Sequence, residues 1–204
     1  MKKIILLSVI LSSLILGVAG TSFSQEESGQ YIHKGLFRSM GGIAPGIMLK
    51  ENVSTVSLTG NVEYYIADNI SLRGDSYFYM QGKDKSGKDP FEFNHSTFSG
   101  ASYHFKTKNH FDPYFAFEPG IAISKKNPSL ITVPELYSSG NASANPLLSS
   151  ALGFNFYFQK WFHLFAEARY ISGKHLSDAT APLSLNELRF SFGLGWNINL
   201  VKKK

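Results

Sequence analysis

The last predicted strand constrains this chain more than any other segment, because its side chains alternate without a break. Every second residue from Leu188 to Leu200 is apolar, and the residues between them, from Glu187 to Asn199, are polar or glycine. Successive side chains of a strand point to opposite faces, so the segment has one apolar and one polar face. Its length of about 13 residues is enough for a tilted crossing of a bilayer. The pattern predicts a membrane-spanning β-strand.

The amino terminus has the composition of an export signal. Lys2 and Lys3 precede a mostly apolar run, which is followed by small residues. The run is shorter than the roughly 20 residues of a membrane-spanning helix. We therefore predict a secretory signal peptide over residues 1–24, with cleavage after Gly20 as the alternative to cleavage after Ser24. A short N-terminal segment (25–33), a barrel (34–201) and a basic tail (202–204) then follow.

Composition limits the function classes that remain. The formal net charge of +5 is too small and too dispersed to predict binding to nucleic acid. The chain has no cysteine, which excludes disulfides and lipid attachment at a cysteine. Two Trp, ten Tyr and seventeen Phe suit a protein at a boundary between water and lipid.

The rest of the exported chain repeats the two-residue period and shows no amphipathic helix. Its connections alternate in length after the first, as in membrane barrels with short turns at one end and longer loops at the other. We predict an all-β fold, an eight-stranded antiparallel up-and-down transmembrane β-barrel. Glycines and prolines blur the alternation of the first strand. The predicted strands cover residues 34–49, 55–65, 70–81, 91–105, 113–124, 148–158, 162–170 and 187–200.

The distribution of charge decides which face meets lipid. The opposite orientation would make a soluble, lipocalin-like cup with an apolar interior. Lysine avoids the predicted strands and lies in connections or at strand ends, whereas Arg38, Arg73, Arg169 and Arg189 lie inside strands. A strand surface that faces water normally uses lysine freely. The apolar faces are therefore predicted to meet lipid and the polar faces to line the interior.

Oppositely charged residues recur two positions apart on the predicted inner face. Buried charges persist when they are paired and hydrogen-bonded, and arginine offers five donors. An eight-stranded barrel is just wide enough for side chains to fill its interior. We predict a salt-bridged plug and no open pore. The predicted interior charge network is Glu63, Arg73, Asp75, Glu118, Glu167, Arg169, Glu187 and Arg189.

Aromatic residues gather near the predicted short turns. Membrane barrels carry aromatic girdles at both interfaces, so we interpret this group as the girdle at the periplasmic end. Phe78, Phe91, Phe93, Tyr170 and Phe190 are placed near the long loops as the opposite girdle. The members near the short turns include Tyr64, Phe105, Phe156, Phe158, Trp161, Phe162 and Trp196.

Several segments together resemble the OmpA/OmpX-like outer-membrane β-barrel superfamily. They are the leader, the eight alternating segments, Asp112-Pro113-Tyr114, Glu167-Ala168-Arg169-Tyr170 and Gly193-Leu194-Gly195-Trp196. The resemblance implies a Gram-negative outer membrane, contact with its lipid and lipopolysaccharide, and insertion by the barrel-assembly machinery. Members often end on an aromatic residue, whereas Trp196 is followed here by residues 197–204. No periplasmic domain is expected after the barrel.

The residues predict no catalytic, cofactor-binding or metal site, and we expect a monomeric, non-enzymatic protein with a structural or surface-interaction role. One alternative is a small apolar-solute conduit of the OmpW-like type. A barrel lipid hydrolase is less favoured, because Thr97 lies two residues after His95, at the position where such enzymes place a serine. The connection between Lys125 and Asn145 carries apolar residues, so it is the candidate surface for an extracellular partner.

Overall fold

The computed structural model describes residues 31–107, 110–127, 142–176 and 183–199. The predicted leader and basic tail lie outside the described residues, as does most of the connection between Lys125 and Asn145. No helix among the described residues is long and apolar enough to cross a membrane.

Eight antiparallel strands form one closed barrel, in which each strand pairs with its sequence neighbours and β8 pairs with β1. Closure leaves no free sheet edge, which is the condition for a sheet to cross a bilayer. The predicted fold class is confirmed. The strands are β1 Leu36–Met48, β2 Val53–Tyr65, β3 Ile70–Lys83, β4 Phe91–His104, β5 Phe111–Lys126, β6 Ser143–Gln159, β7 Phe162–Gly173 and β8 Glu187–Asn199.

The two faces of the barrel wall follow the predicted alternation. Side chains of β2 alternate between buried and exposed positions along most of its length. Large apolar side chains point outward around the wall, with exposed fractions of 63% for Phe78 and 62% for Leu152. An apolar belt of this extent is unusual on a soluble protein but matches the hydrocarbon core of a bilayer. Because charged side chains lie inside, the lipocalin-like orientation is excluded.

The first strand is more regular than its sequence predicts. Its residues pair with β2 without a shift from Phe37 to Met48. Its glycines serve barrel closure, since Gly42 lies opposite Gly193 of β8. A Cβ atom on Gly193 would lie 2.7 Å from the Cα of Gly42. The glycines therefore allow a close approach of the first and last strands.

The start of β4 corrects the sequence prediction. Unbroken alternation over the predicted strand 91–105 would put Phe91 outside and Glu92 inside, but Phe91 is buried and Glu92 pairs with Lys125 at 2.6 Å on the outside. The register of β4 against β5 shifts between Phe91 and Phe93. Such a bulge adds one residue to the strand and reverses the faces of the residues beyond it.

The connections at one end of the barrel are short, and those at the other end are longer after the first. β5 continues to Lys126 and β6 begins at Ser143, so Lys125 and Asn145 belong to strands and not to the predicted loop. Between β3 and β4, hydrogen bonds from the Ser86 side chain and the Lys88 amide lower the pKa of the Asp84 carboxyl. We call the two ends the short-turn end and the long-loop end.

Candidate functional site in the barrel interior

Polar side chains fill the middle of the barrel as ion pairs. The central ionic layer consists of Arg73, Asp75, Glu118, Glu167 and Arg169, which lie near the middles of β3, β5 and β7. Arg73 Nη2 lies 2.8 Å from Asp75 Oδ1 and 2.8 Å from Glu167 Oε2. Arg169 Nη1 lies 2.6 Å from Glu118 Oε2, and its Nη2 lies 3.0 Å from Asp75 Oδ2. These side chains are almost completely buried.

Hydroxyl groups and aromatic rings surround the central ionic layer. The Tyr114 hydroxyl donates to Glu167 Oε2 at 2.9 Å, and Arg169 Nη1 donates to Ser149 Oγ at 2.9 Å. The Arg73 guanidinium lies 5.1 Å from the centre of the Tyr114 ring. Charge-assisted hydrogen bonds and cation–π contacts of this kind are strongest away from water. The layer is therefore a packed ionic core.

A second layer lies nearer the short-turn end, and the sequence predicted only Glu63 of its members. In this lower ionic layer, Arg38 Nη1 lies 3.2 Å from Glu63 Oε2, and Arg38 Nη2 lies 3.0 Å from Asp112 Oδ2. The two ring nitrogens of His104 lie 3.0 Å from Glu63 Oε1 and 2.8 Å from Asp112 Oδ1. Arg38 also donates to the Tyr65 hydroxyl. One histidine thus bridges two carboxylates.

The remaining predicted pair lies toward the long-loop end. Arg189 Nη2 contacts Glu187 Oε2 at 2.5 Å and its Nη1 donates to Ser96 Oγ at 3.1 Å. The Thr55 hydroxyl donates to Glu187 Oε1 at 2.5 Å. The structure therefore places all eight predicted network residues inside the barrel but distributes them among three groups.

Apolar side chains close the ionic interior at both ends. Ile32, which precedes β1, packs with Leu36, Tyr65 and Tyr157 at the short-turn end. At the long-loop end lies a larger group, which we call the apolar cluster. Its members are Ala44, Met48, Val53, Tyr77, Tyr79, Phe91, Phe98, Ala122, Leu147, Ile171 and Leu185.

The predicted girdle residues near the short turns lie on the outside of the barrel. Phe162 is half-buried because it packs between Trp161 and Trp196, with ring centres 5.6 Å and 6.0 Å away. Aromatic rings at this level match the interface of a bilayer. The exposed members are Tyr64, Phe105, Phe156, Phe158, Trp161 and Trp196.

The side chains weighed for lipid hydrolysis are engaged in other contacts. The Thr97 hydroxyl donates to the Asp75 carbonyl at 3.0 Å, and His95 Nδ1 accepts the Tyr79 amide at 3.1 Å. A nucleophile and its base need a direct hydrogen bond, and neither residue is held in that geometry. The described residues also contain no group of three or more His, Cys, Asp or Glu able to hold a metal ion.

Comparison with known proteins supports the fold through structure alone. No family model matches the chain, and no curated protein matches it in sequence. OprG from Pseudomonas aeruginosa matches with a TM-score of 0.63 at 13% identity, covering 84% of this chain and 100% of OprG. The resemblance to small eight-stranded outer-membrane barrels is confirmed at the level of fold.

Two further solved outer-membrane barrels match over most of their lengths. Neisserial surface protein A has a TM-score of 0.56 at 15% identity, covering 82% of this chain and 98% of its own. Ail, the attachment invasion locus protein of Yersinia pestis, has a TM-score of 0.51 at 11% identity, and the match covers 81% of this chain and 99% of Ail. The names of these proteins indicate different roles, so the match carries no specific function.

Proposed function

We propose that this protein is an integral outer-membrane barrel of a Gram-negative envelope, exported by its leader and without enzymatic activity. Its role is structural or in surface interaction, and its interior is closed to solutes. The outer-membrane location is suggested by the barrels that match it in fold and by the apolar belt. The main support for a closed interior is the set of ion pairs that cross the barrel.

These ion pairs connect opposite walls. Arg73 on β3 reaches Glu167 on β7, and Arg38 on β1 reaches Asp112 on β5. Strands four positions apart face each other across an eight-stranded barrel, so each bridge spans the lumen. Opening a pore would separate buried charges from their partners, which costs several kcal/mol per ion. The layers therefore favour a barrel that carries no steady current.

The proposed partners follow from the surface. The apolar belt would contact outer-membrane lipid and lipopolysaccharide, and the barrel-assembly machinery would insert the chain. The connection near Lys125 and Asn145 remains the candidate contact for an extracellular partner. Ail, one of the matching barrels, is also solved in complex with the heparin analogue sucrose octasulfate. A monomer is expected, and no nucleic acid is involved.

The closed interior is tested by electrical recording in planar bilayers. The purified protein should show no large, stable conductance. The double variant Arg73→Ala with Arg169→Ala removes both guanidiniums of the central ionic layer and should increase ion leakage, provided that it refolds. Arg189→Ala, nearer the long-loop end, is the matched control and should leave the central layer closed. Steady porin-like currents from the unchanged protein would overturn the proposal.

A conduit for small apolar solutes is the second candidate, and the apolar cluster favours it. The lumen near the long-loop end carries the apolar cluster, which suits such a solute, although the ion pair of Glu187 with Arg189 also lies there. The central ionic layer lies directly beneath and would have to be crossed. Flux of a small alkane-derived solute into protein-containing liposomes discriminates the two roles. Flux equal to that of protein-free liposomes favours the structural role.

A further inference from the structure

The central ionic layer contains more acidic than basic groups. Its two guanidiniums, those of Arg73 and Arg169, face the three carboxyl groups of Asp75, Glu118 and Glu167. With every group ionised, one negative charge in the layer would have no counter-charge. All five side chains are buried. A buried charge without a partner is strongly unfavourable, so the layer requires one further positive charge.

The arginines above and below the layer do not supply this charge. Arg189, toward the long-loop end, is bound by Glu187 at 2.5 Å. Arg38, toward the short-turn end, faces two carboxyl groups of its own, those of Glu63 at 3.2 Å and Asp112 at 3.0 Å. Neither guanidinium is left over for the central ionic layer. The missing charge therefore comes from a proton or from a bound cation.

The three carboxyl groups differ in the hydrogen bonds that they accept. Asp75 accepts from both guanidiniums of the layer and from Asn61 Nδ2 at 2.7 Å. Glu167 also accepts from both guanidiniums, and from the Tyr114 hydroxyl at 2.9 Å. Neither oxygen of Glu118 accepts a hydrogen bond from the described residues. Because hydrogen bonds stabilise the ionised form of a carboxyl group, Glu118 is the least stabilised carboxylate of the three.

The surroundings of Glu118 suit a neutral carboxylic acid. Arg169 Nη1 lies 2.6 Å from Glu118 Oε2, but its hydrogen bond goes to Ser149 Oγ at 2.9 Å. Arg73 Nε lies 3.6 Å from Glu118 Oε1 and donates to Asp75 Oδ2 at 3.0 Å. The Asp75 and Glu118 carboxyl groups also contact each other. Two carboxyl groups in contact do not both stay ionised, and one proton between them replaces repulsion by a hydrogen bond.

We propose that Glu118 is a proton-binding site at the centre of the barrel, where its neutral carboxyl group donates to Asp75 and completes the charge balance of the central ionic layer. A metal cation fits less well, because donors already occupy the oxygens of Asp75 and Glu167. The described part of the chain also holds no group of three or more His, Cys, Asp or Glu suited to a metal. The site depends on the contacts of the layer and not on the proposed role of the barrel in the envelope.

Proton binding by Glu118 couples folding to pH. In the unfolded chain a glutamate releases its proton above about pH 4.3, whereas the folded layer retains it at neutral pH. Folding at neutral pH therefore takes up one proton from water, and stability falls as the pH rises. Arginine stays charged and tyrosine stays neutral through this range. The titratable and charged groups around Glu118 are Arg73, Asp75 and Tyr77 on β3, Tyr114 on β5, and Glu167 and Arg169 on β7.

Infrared spectroscopy of the protein, refolded in micelles of a detergent without carbonyl groups, tests for the neutral acid. At neutral pH the spectrum should show the carbonyl stretching band of a protonated carboxyl group. Isotope labelling of the glutamate carboxyl carbon should shift this band to lower frequency. Glu118→Gln should remove the band, whereas Glu92→Gln on the outer surface is the matched control and should retain it. A spectrum without the band, or a band that shifts only with labelled aspartate, would overturn the site.

The pH dependence of urea unfolding in lipid vesicles is the second test. Between about pH 6 and pH 7.5, the unfolding equilibrium constant of the unchanged protein should rise about tenfold more per pH unit than that of Glu118→Gln, because only the unchanged protein releases this proton on unfolding. Glu92→Gln should behave like the unchanged protein. His104 of the lower ionic layer is present in all three proteins, so its contribution cancels in the difference.

Equal pH dependence of the unchanged protein and Glu118→Gln would overturn the site. A difference that appears only with sodium or potassium, and not with choline as the buffer cation, would also overturn it, since the charge would then come from a bound cation. If Glu118→Gln does not refold, the isotope-shifted band of the unchanged protein still decides. None of these results alters the conductance test of the closed interior.

Discussion

The two halves of the barrel interior solve the same packing problem with different chemistry. The half toward the short-turn end is filled by ion pairs, including Arg73 with Glu167 and Arg38 with Asp112. The half toward the long-loop end contains the apolar cluster beside the ion pair of Glu187 with Arg189. Ion pairs require particular partners at particular distances, whereas apolar contacts depend mainly on volume. The ion pairs therefore depend strictly on the register between strands, whereas the apolar contacts tolerate changes that conserve volume.

The largest effect should follow from breaking the ionic half. Arg169→Ala leaves Asp75, Glu118 and Glu167 with Arg73 as their remaining guanidinium in the central layer. Removing one partner of a buried ion pair costs about 3 to 5 kcal/mol, because it leaves a buried charge unpaired. Urea unfolding of the refolded barrel in lipid vesicles measures this loss of free energy. An effect below that of the apolar substitution described last would contradict the comparison.

A charged substitution on the outer surface of the barrel tests whether the loss of stability depends on which face of the strand carries the charge. Phe192 faces outward on β8, opposite Ala166 of β7. Arginine near the middle of the bilayer costs about 2 to 4 kcal/mol on the lipid face, so Phe192→Arg should lower unfolding stability or impair assembly. Phe192→Leu is the matched control and should have little effect. If Phe192→Arg is tolerated equally well, the outer face does not meet lipid.

The smallest effect is expected in the apolar half. Ile171 is 1% exposed within the apolar cluster. Ile171→Val removes one methylene group and should cost about 0.5 to 1.5 kcal/mol, since neighbouring apolar side chains relax into part of the space. The same urea titration measures this loss of unfolding free energy, with Ile43→Val on the lipid-facing surface as the control. A loss as large as that of Arg169→Ala would show that both halves are equally specific.

The local sequence pattern was sufficient to predict a strand and its two faces where one face is apolar throughout. The alternation of β2 and β8 predicted both their faces and, within two residues, most of their ends. Paired charges two residues apart, such as Glu167 with Arg169, also revealed their interior position. Arg38, His104 and Asp112 were missed as a group because none of them has an oppositely charged residue two positions away on its own strand. The only available signal was that each falls on the polar face of its strand.

The sequence by itself determined that the chain forms strands, which face of each strand is apolar and which charges point inward, because these depend on neighbours two residues away. Only the tertiary structure decided which charges meet, since closure brings β1 opposite β5 and β3 opposite β7. It also decided the inward turn of Phe91 and the end of the β3–β4 ladder at Tyr77 and Ser96. Both depend on the register between strands, and a single extra residue in a bulge changes that register without altering the pattern of either strand alone.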